Sequence, residues 1–167
     1  MTNNLMPTSK EKEQIYEIYK VIFFSSFSEQ KKINLISSIF SWEPWSFRVV
    51  GITLNALIEF KKNDFRYKSH THSRDHFIQD RKVTYKAMLD EILPFEKWWD
   101  FFWKNDKTIL ITHEEHNNKK NLSISKIIPI DSNLGFFKCK SLIGYHYTKK
   151  REGKFLEKLI NDNRLNI

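Results

Sequence analysis

The sequence predicts an α+β fold: a helical N-terminal half packed on a small, mostly antiparallel sheet, with a C-terminal helix. Three observations carry this. Ile15, Ile18, Tyr19 and Ile22 recur at i, i+3, i+4 and i+7, the period of an amphipathic helix. Segments of strand length rich in Ile and Leu occur later at 108–111 and 123–130. Helices come first, a polar basic segment follows, and helices and strands mix after it, an order unlike the regular alternation of a parallel sheet.

Taken in order, residues 1–8 are polar and expected to be disordered, and 9–167 form a single α+β domain, as suits a chain of 167 residues. A helix begins at Ser9. A second runs from Ser28 as N-cap to about Phe40, with Ile33, Leu35, Ile36, Ile39 and Phe40 apolar. Pro44, between Trp42 and Trp45, enforces a break. Residues 47–50 suit a short strand. Thr53 reads as the N-cap of a third helix to about Asn63, with Ala56, Leu57 and Phe60 inward. Residues 61–82 hold seven basic residues, three acidic ones and three His, and read as a loop or short ribbon. A helix is expected at 84–93, ending before Pro94. Phe95, Trp98, Trp99, Phe102 and Trp103 then form a continuous helical face whose place is the core. A buried strand follows at 108–111, a polar stretch at 113–122, and an edge strand at 123–130, where Pro129 withholds a donor. A third strand or hairpin arm is expected within 136–147, and a terminal helix at 150–161 with Phe155, Leu156, Leu159 and Ile160 inward.

Composition removes several classes. One Cys excludes a disulfide framework and Cys-rich zinc modules. Four Gly, with no G-x-G-x-x-G, G-x-x-x-x-G-K or G-x-S-x-G, leave dinucleotide, P-loop and α/β-hydrolase readings without their signatures. No apolar run approaches the roughly 18 residues of a membrane span, and no leader pattern precedes the first helix, so the expectation is a cytoplasmic protein without a membrane partner. The formal charge of +8 makes a polyanion the first partner to consider, nucleic acid before membrane; the nucleic acid expected is DNA before RNA, a choice the charge does not make. A homodimer is compatible with two-fold symmetric DNA.

Two polar constellations invite chemistry. In Ser69-His70-Thr71-His72-Ser73-Arg74-Asp75-His76, an extended backbone would set His70, His72, Arg74 and His76 on one face. Imidazoles beside a guanidinium suit a metal site or a general base next to a phosphate-holding Arg. The metallo-β-lactamase pattern H-x-H-x-D-H does not fit, because His70-x-His72-x-x-Asp75-His76 is one residue too long. In Thr112-His113-Glu114-Glu115-His116-Asn117 a buried strand delivers a polar cluster at its C-terminal end, although Thr112 with Glu115 also makes a capping box.

These segments resemble the HNH, or His-Me finger, endonucleases of phage and mobile elements. Asp75-His76-Phe77-Ile78 is similar to their D-H-hydrophobic segment, and Thr112 to Asn117 resembles their T-x-x-E-N segment with one residue inserted. Two helices stand between the segments here, where the family has a tight hairpin and a helix. The resemblance implies a metal-dependent DNA endonuclease. His76 would activate water, and Asp75 with Glu115, His116 or Asn117 would hold a divalent cation, Mg²⁺ first and Zn²⁺ as the alternative. Arg74 and Arg81 would hold the scissile phosphate.

Backbone contacts are expected from Lys61, Lys62, Arg66 and Lys68, and from Lys138, Lys140, Lys149, Lys150 and Arg151. The last three gather at a helix start, where cations oppose the helix dipole unless an anion sits there. An alternative PD-(D/E)xK centre would use Asp131, Glu152 and Lys154. Two other functions fit the same residues: a non-catalytic DNA- or RNA-binding protein, and a small-substrate metal hydrolase with His70, His72 and His113 as ligands.

Overall fold

Thr8 opens the first helix. Its side chain accepts from the Glu11 N–H while the Glu11 carboxylate accepts from the Thr8 N–H, a reciprocal capping box. Thr8 thus has an ordered role within the stretch expected to be disordered. The structure is a computed structural model and describes residues 6–41, 43, 45–65, 71–76, 78–118, 125–131 and 149–163, with backbone alone at 149 and 150. Seven helices and four strands lie among the described residues: α1 Ser9–Phe24, α2 Glu29–Ser41, β1 Arg48–Thr53, α3 Leu54–Lys62, β2 His72–His76, α4 Arg81–Asp90, α5 Phe95–Asn105, β3 Lys107–Thr112, α6 His113–Asn117, β4 Ile127–Pro129 and α7 Lys149–Asp162. The α+β class holds. No described helix is long and apolar enough to cross a membrane.

The chain divides into two compact units, each built from discontinuous stretches: 1–47 with 76–107, and 48–75 with 108–167. The first unit is helical. Its core joins Tyr19 and Ile22 of α1, Ile36 and Phe40 of α2, Tyr85 and Met88 of α4, and Trp98, Trp99 and Phe102 of α5. Phe40 and Phe102 stack at 3.8 Å between ring centres. The Trp face of α5 is therefore core, as its spacing predicts. Tyr16, half-buried, and Tyr19, fully buried, donate their hydroxyls to Leu93 O and Met88 O, both at 2.6 Å. α4 starts at Arg81 rather than 84 because Asp80 caps it, its carboxylate accepting from the Lys82 N–H at 2.7 Å.

The second unit holds most of the sheet, whose strand order is β2-β3-β1-β4. Of the strands, only His76 at the end of β2 and Lys107 at the start of β3 fall in the first unit. β1 and β4 are antiparallel, with Gly51 opposite Pro129, Ile52 opposite Ile128 and Thr53 opposite Ile127. Among the described strands β4 lies at the edge, a place that tolerates Pro129. β1 and β3 run in the same direction: Thr108 Oγ1 donates to Arg48 O at their starts (3.2 Å), and both strands end in a Thr that caps a helix. β2 opposes β3, since the His113 N–H donates to Thr71 O at 3.0 Å. The sheet is thus mixed, with its one parallel pair at the centre. α3 and α7 cover it with Ala56, Leu57, Phe60, Leu156 and Ile160, packed on Val49, Ile52, Leu110 and Ile128. The third strand expected within 136–147 lies outside the described residues, as does Trp42.

Candidate functional site

The parallel pair β1 and β3 brings two similar strand ends together, Ile52-Thr53 and Ile111-Thr112. Each Thr is extended, and its hydroxyl accepts from the third amide beyond it, so each strand passes straight into a helix, α3 or α6. Glu115 lies beneath both caps and is 5% exposed. Its Oε2 accepts from the Thr53 hydroxyl (2.7 Å), the Thr112 N–H (3.0 Å) and the Thr112 hydroxyl (3.3 Å). Its Oε1 accepts from the Ser125 hydroxyl (2.6 Å), the Ser125 N–H (3.2 Å) and Asn55 Nδ2 (3.3 Å). Burial pushes the Glu115 carboxyl up, but the hydrogen bonds from Ser125, Thr112 and Thr53 outweigh it and leave the group below its ordinary value. Six donors use the roughly four lone-pair positions of a carboxylate. Both oxygens of Glu115, expected as a metal ligand, are thus taken up by protein donors.

Asp75 and His116 do meet. Asp75 Oδ1 lies 3.8 Å from His116 Nδ1, the Asp75 side chain 11% exposed and the His116 side chain 41% exposed. One hard oxygen and one imidazole nitrogen at this separation can be spanned by two metal bonds of about 2.1 Å. Among the described residues no group of three or more His, Cys, Asp or Glu side chains stands ready as a metal cage. Mg²⁺ is commonly held by one or two carboxylates with substrate phosphates and waters, and Asp75 offers one such carboxylate, whereas the His116 imidazole suits Zn²⁺ and related ions. Asn117 ends α6, exposed.

A cleft of about 490 Å³ opens at the C-terminal ends of β1 and β3, lined by Asn55, Thr71, Thr112, His113, Glu114 and the Glu59–Lys62 pair, among others. Glu59 and Lys62 are bridged at 2.6 Å. Ligands of open sheets commonly enter at the carboxyl ends of parallel strands. His113 and His116 lie one turn apart on α6, with His113 facing this cleft.

The His-rich segment is only partly a strand face. His72 is 1% exposed and stacks on Phe60 at 3.8 Å. Its Nε2 lies 3.3 Å from Ala56 O and its Nδ1 2.7 Å from Thr71 Oγ1. Both ring nitrogens are engaged inside the second unit's core, so His72 does not serve the His-ligand set expected with His113. His70 lies outside the described residues, as do Arg66, Lys68, Lys138 and Lys140.

His76, expected as the base, belongs to the first unit. Side chains alternate along β2. Asp75 goes to His116, while the His76 ring meets the Phe47 ring edge-on at 5.5 Å. Arg81 lies over the same Phe47 ring at 5.6 Å. His76 and Arg81 are thus brought together, and both line one small cavity in the first unit. Arg74 is half-buried on β2.

Lys61 and Lys62 are exposed in the last turn of α3, where they complement the helix dipole. Arg151 is exposed in the first turn of α7, and Lys149 and Lys150 begin that helix, as the sequence predicts. The PD-(D/E)xK alternative fails on geometry. Asp131 follows β4, but Glu152 and Lys154 are on a helix, where i and i+2 point apart: Glu152 is 3% exposed and Lys154 is exposed. Sequence reading missed Thr53, Asn55 and Ser125 as partners of Glu115. The twin Ile-Thr strand endings were the available signal. Comparison with protein-family models, curated proteins and solved structures found no match.

Proposed function

We propose that the chain is a metal-dependent nuclease that hydrolyses phosphodiester bonds, DNA before RNA, and that Asp75 and His116 form its centre. One observation carries this reading: two polar residues far apart in sequence meet at 3.8 Å, one nearly buried and one open to solvent. The net charge of +8 suits a polyanionic substrate. Asp75 and His116 would hold the divalent cation, Mg²⁺ before Zn²⁺. When bound, the cation neutralises phosphate charge and acidifies water. Glu115 acts through α6: by tying both Thr caps and Ser125 it fixes the short helix that carries His116. Water adds to phosphorus as the ester P–O bond breaks, leaving a phosphate monoester and a hydroxyl end.

The test is incubation of the full chain with supercoiled plasmid and with a structured RNA, in Mg²⁺, Mn²⁺ or EDTA. Cleavage is expected with metal and not with EDTA. Asp75→Asn and His116→Ala should each lower it about 100-fold or more, the scale of losing a catalytic group. Undiminished cleavage in both variants overturns the assignment. If His76→Ala alone abolishes cleavage, the centre moves to the His76–Arg81 cluster. Salt-sensitive retention without cleavage under any metal favours a non-catalytic nucleic-acid-binding protein.

A further inference from the structure

The small cavity of the first unit has a volume of about 10 Å³, close to the room one water needs. Its walls mix polar side chains with the Phe102 ring. Thr84 and Tyr85 come from α4, Asn105 and Asp106 from the end of α5 and just after it, and His76 and Arg81 stand alongside. Tyr85 is 1% exposed, and its hydroxyl has no hydrogen-bond partner among the described residues. A buried hydroxyl left so costs about 1–3 kcal/mol. Burial, with the Asp106 carboxylate close by, raises the Tyr85 hydroxyl well above its ordinary value while Arg81 pulls the other way, so it stays a donor at neutral pH.

The walls also decide what can occupy the space. Asp106 disfavours an anion and Arg81 disfavours a cation. A neutral molecule that both donates and accepts fits both, and the volume admits only one as small as water. Asn105 Nδ2 donates to Phe101 O at 2.8 Å, which leaves the amide oxygen as its acceptor.

The position matters to the fold. The chain leaves this unit after Phe47, re-enters at His76 and leaves again after Lys107. Phe47 holds a left-handed backbone, φ 57°, which is strained for a large side chain. Its N–H donates to Asp106 Oδ2 at 2.8 Å, and its ring contacts both His76 and Arg81. Of these three points His76 lines the cavity, Phe47 is bonded to its wall residue Asp106, and Lys107 follows Asp106 in the chain.

We propose that this cavity holds one ordered water, which accepts from the Tyr85 hydroxyl and donates to Asp106 or Asn105. The water and Asp106 together clasp the three points where the chain enters and leaves the helical unit, and they hold Phe47 in its strained conformation. His76 and Arg81 are then walls of a structural water site, whatever the chain does to nucleic acid.

A crystal structure of the full chain at high resolution, with NMR of the same protein in solution, tests this. Expected are a density peak within hydrogen-bond distance of Tyr85 Oη and of Asp106 or Asn105, and a slowly exchanging Tyr85 hydroxyl proton with a cross-peak to long-lived water. Tyr85→Phe should lose that cross-peak and speed exchange of the Phe47 amide. An empty cavity, or a Tyr85 hydroxyl bonded directly to a protein acceptor, overturns the proposal. The wild-type measurements stand even if Tyr85→Phe fails to fold. Nuclease assays are not part of the readout, so its failure and that of the nuclease reading are separable.

Discussion

Glu115 shows what a single residue does in this chain. Its local half was legible: Thr112 and a Glu three residues on form a capping box by spacing alone. Its long-range half was not, because Thr53 and Asn55 are separated from it by 62 and 60 positions, and no pattern in one sequence marks that pairing. Removing the carboxylate leaves buried donors of two helix caps without an acceptor, so Glu115→Ala should cost about 2–4 kcal/mol, measured by chemical denaturation. Glu115→Gln should cost less, since it keeps one acceptor oxygen. Indifference to both changes would show that water replaces the carboxylate readily. The pH dependence has a definite sign. The folded-state value of Glu115 lies below its ordinary value, so its stabilisation is fully present above the unfolded-state value and is lost as pH falls through the folded-state one. Denaturation midpoints followed from neutral pH into the acid range should fall more steeply for the wild type than for Glu115→Gln. The Asp75–His116 pair belongs to the same scale: both residues were legible as candidates, and their meeting depends on α6 being a helix at all.

At the scale of elements, periodicity and capping were sufficient wherever a segment buries one regular face. α1, α2, α3 and α5 follow their apolar spacing and their Ser, Thr or Pro boundaries to within a few residues. β2 escaped. Its residues, His-Ser-Arg-Asp-His, carry no apolar alternation. It becomes a strand by pairing with β3, and its burial follows two side chains, His72 and Asp75, rather than a period of two. α6 was legible only through its capping box: five residues give no periodic signal, and its existence rests on the Thr112 cap and Glu115. Gly51 in β1 shows the sheet constraining a single position. A Cβ there would sit 2.7 Å from Ile127 Cγ2, 3.3 Å from Ile128 O and 3.4 Å from Ile109 Cγ2. Two strands leave no room for a methyl group, and Ile127 is β-branched and stiff. Gly51→Ala should therefore destabilise by about 1–3 kcal/mol, the range for overpacking a core. A change within about 0.5 kcal/mol would mean that the edge strand β4 shifts freely.

For the molecule as a whole, length and composition set out one α+β domain over 9–167, within which the chain weaves two compact units from discontinuous stretches. No linker composition marks such a division, because the chain passes between the units at Phe47–Arg48 beside β1, near the end of β2 and near the start of β3 rather than along a flexible connector. Charge, by contrast, is a property of the whole chain and is legible directly. A net +8 attracts a polyanion at any orientation, with exposed Lys61, Lys62 and Arg151 among the contributors. If the partner is a nucleic-acid duplex, binding releases condensed counterions, and the affinity falls linearly with salt on logarithmic axes. A footprint of about five phosphates gives a slope near −4.5, a loss of roughly 500-fold between about 50 and 200 mM salt. Lys61→Ala and Arg151→Ala, if they contact phosphates, should each weaken binding equally across duplex sequences and lower the slope by about one. Fluorescence anisotropy with a labelled duplex across a salt series measures all three quantities. A slope near zero would mean that no counterions are displaced, and the positive charge would then serve solvation alone. A steep slope that neither variant changes would move the contact surface to the other basic residues of the chain.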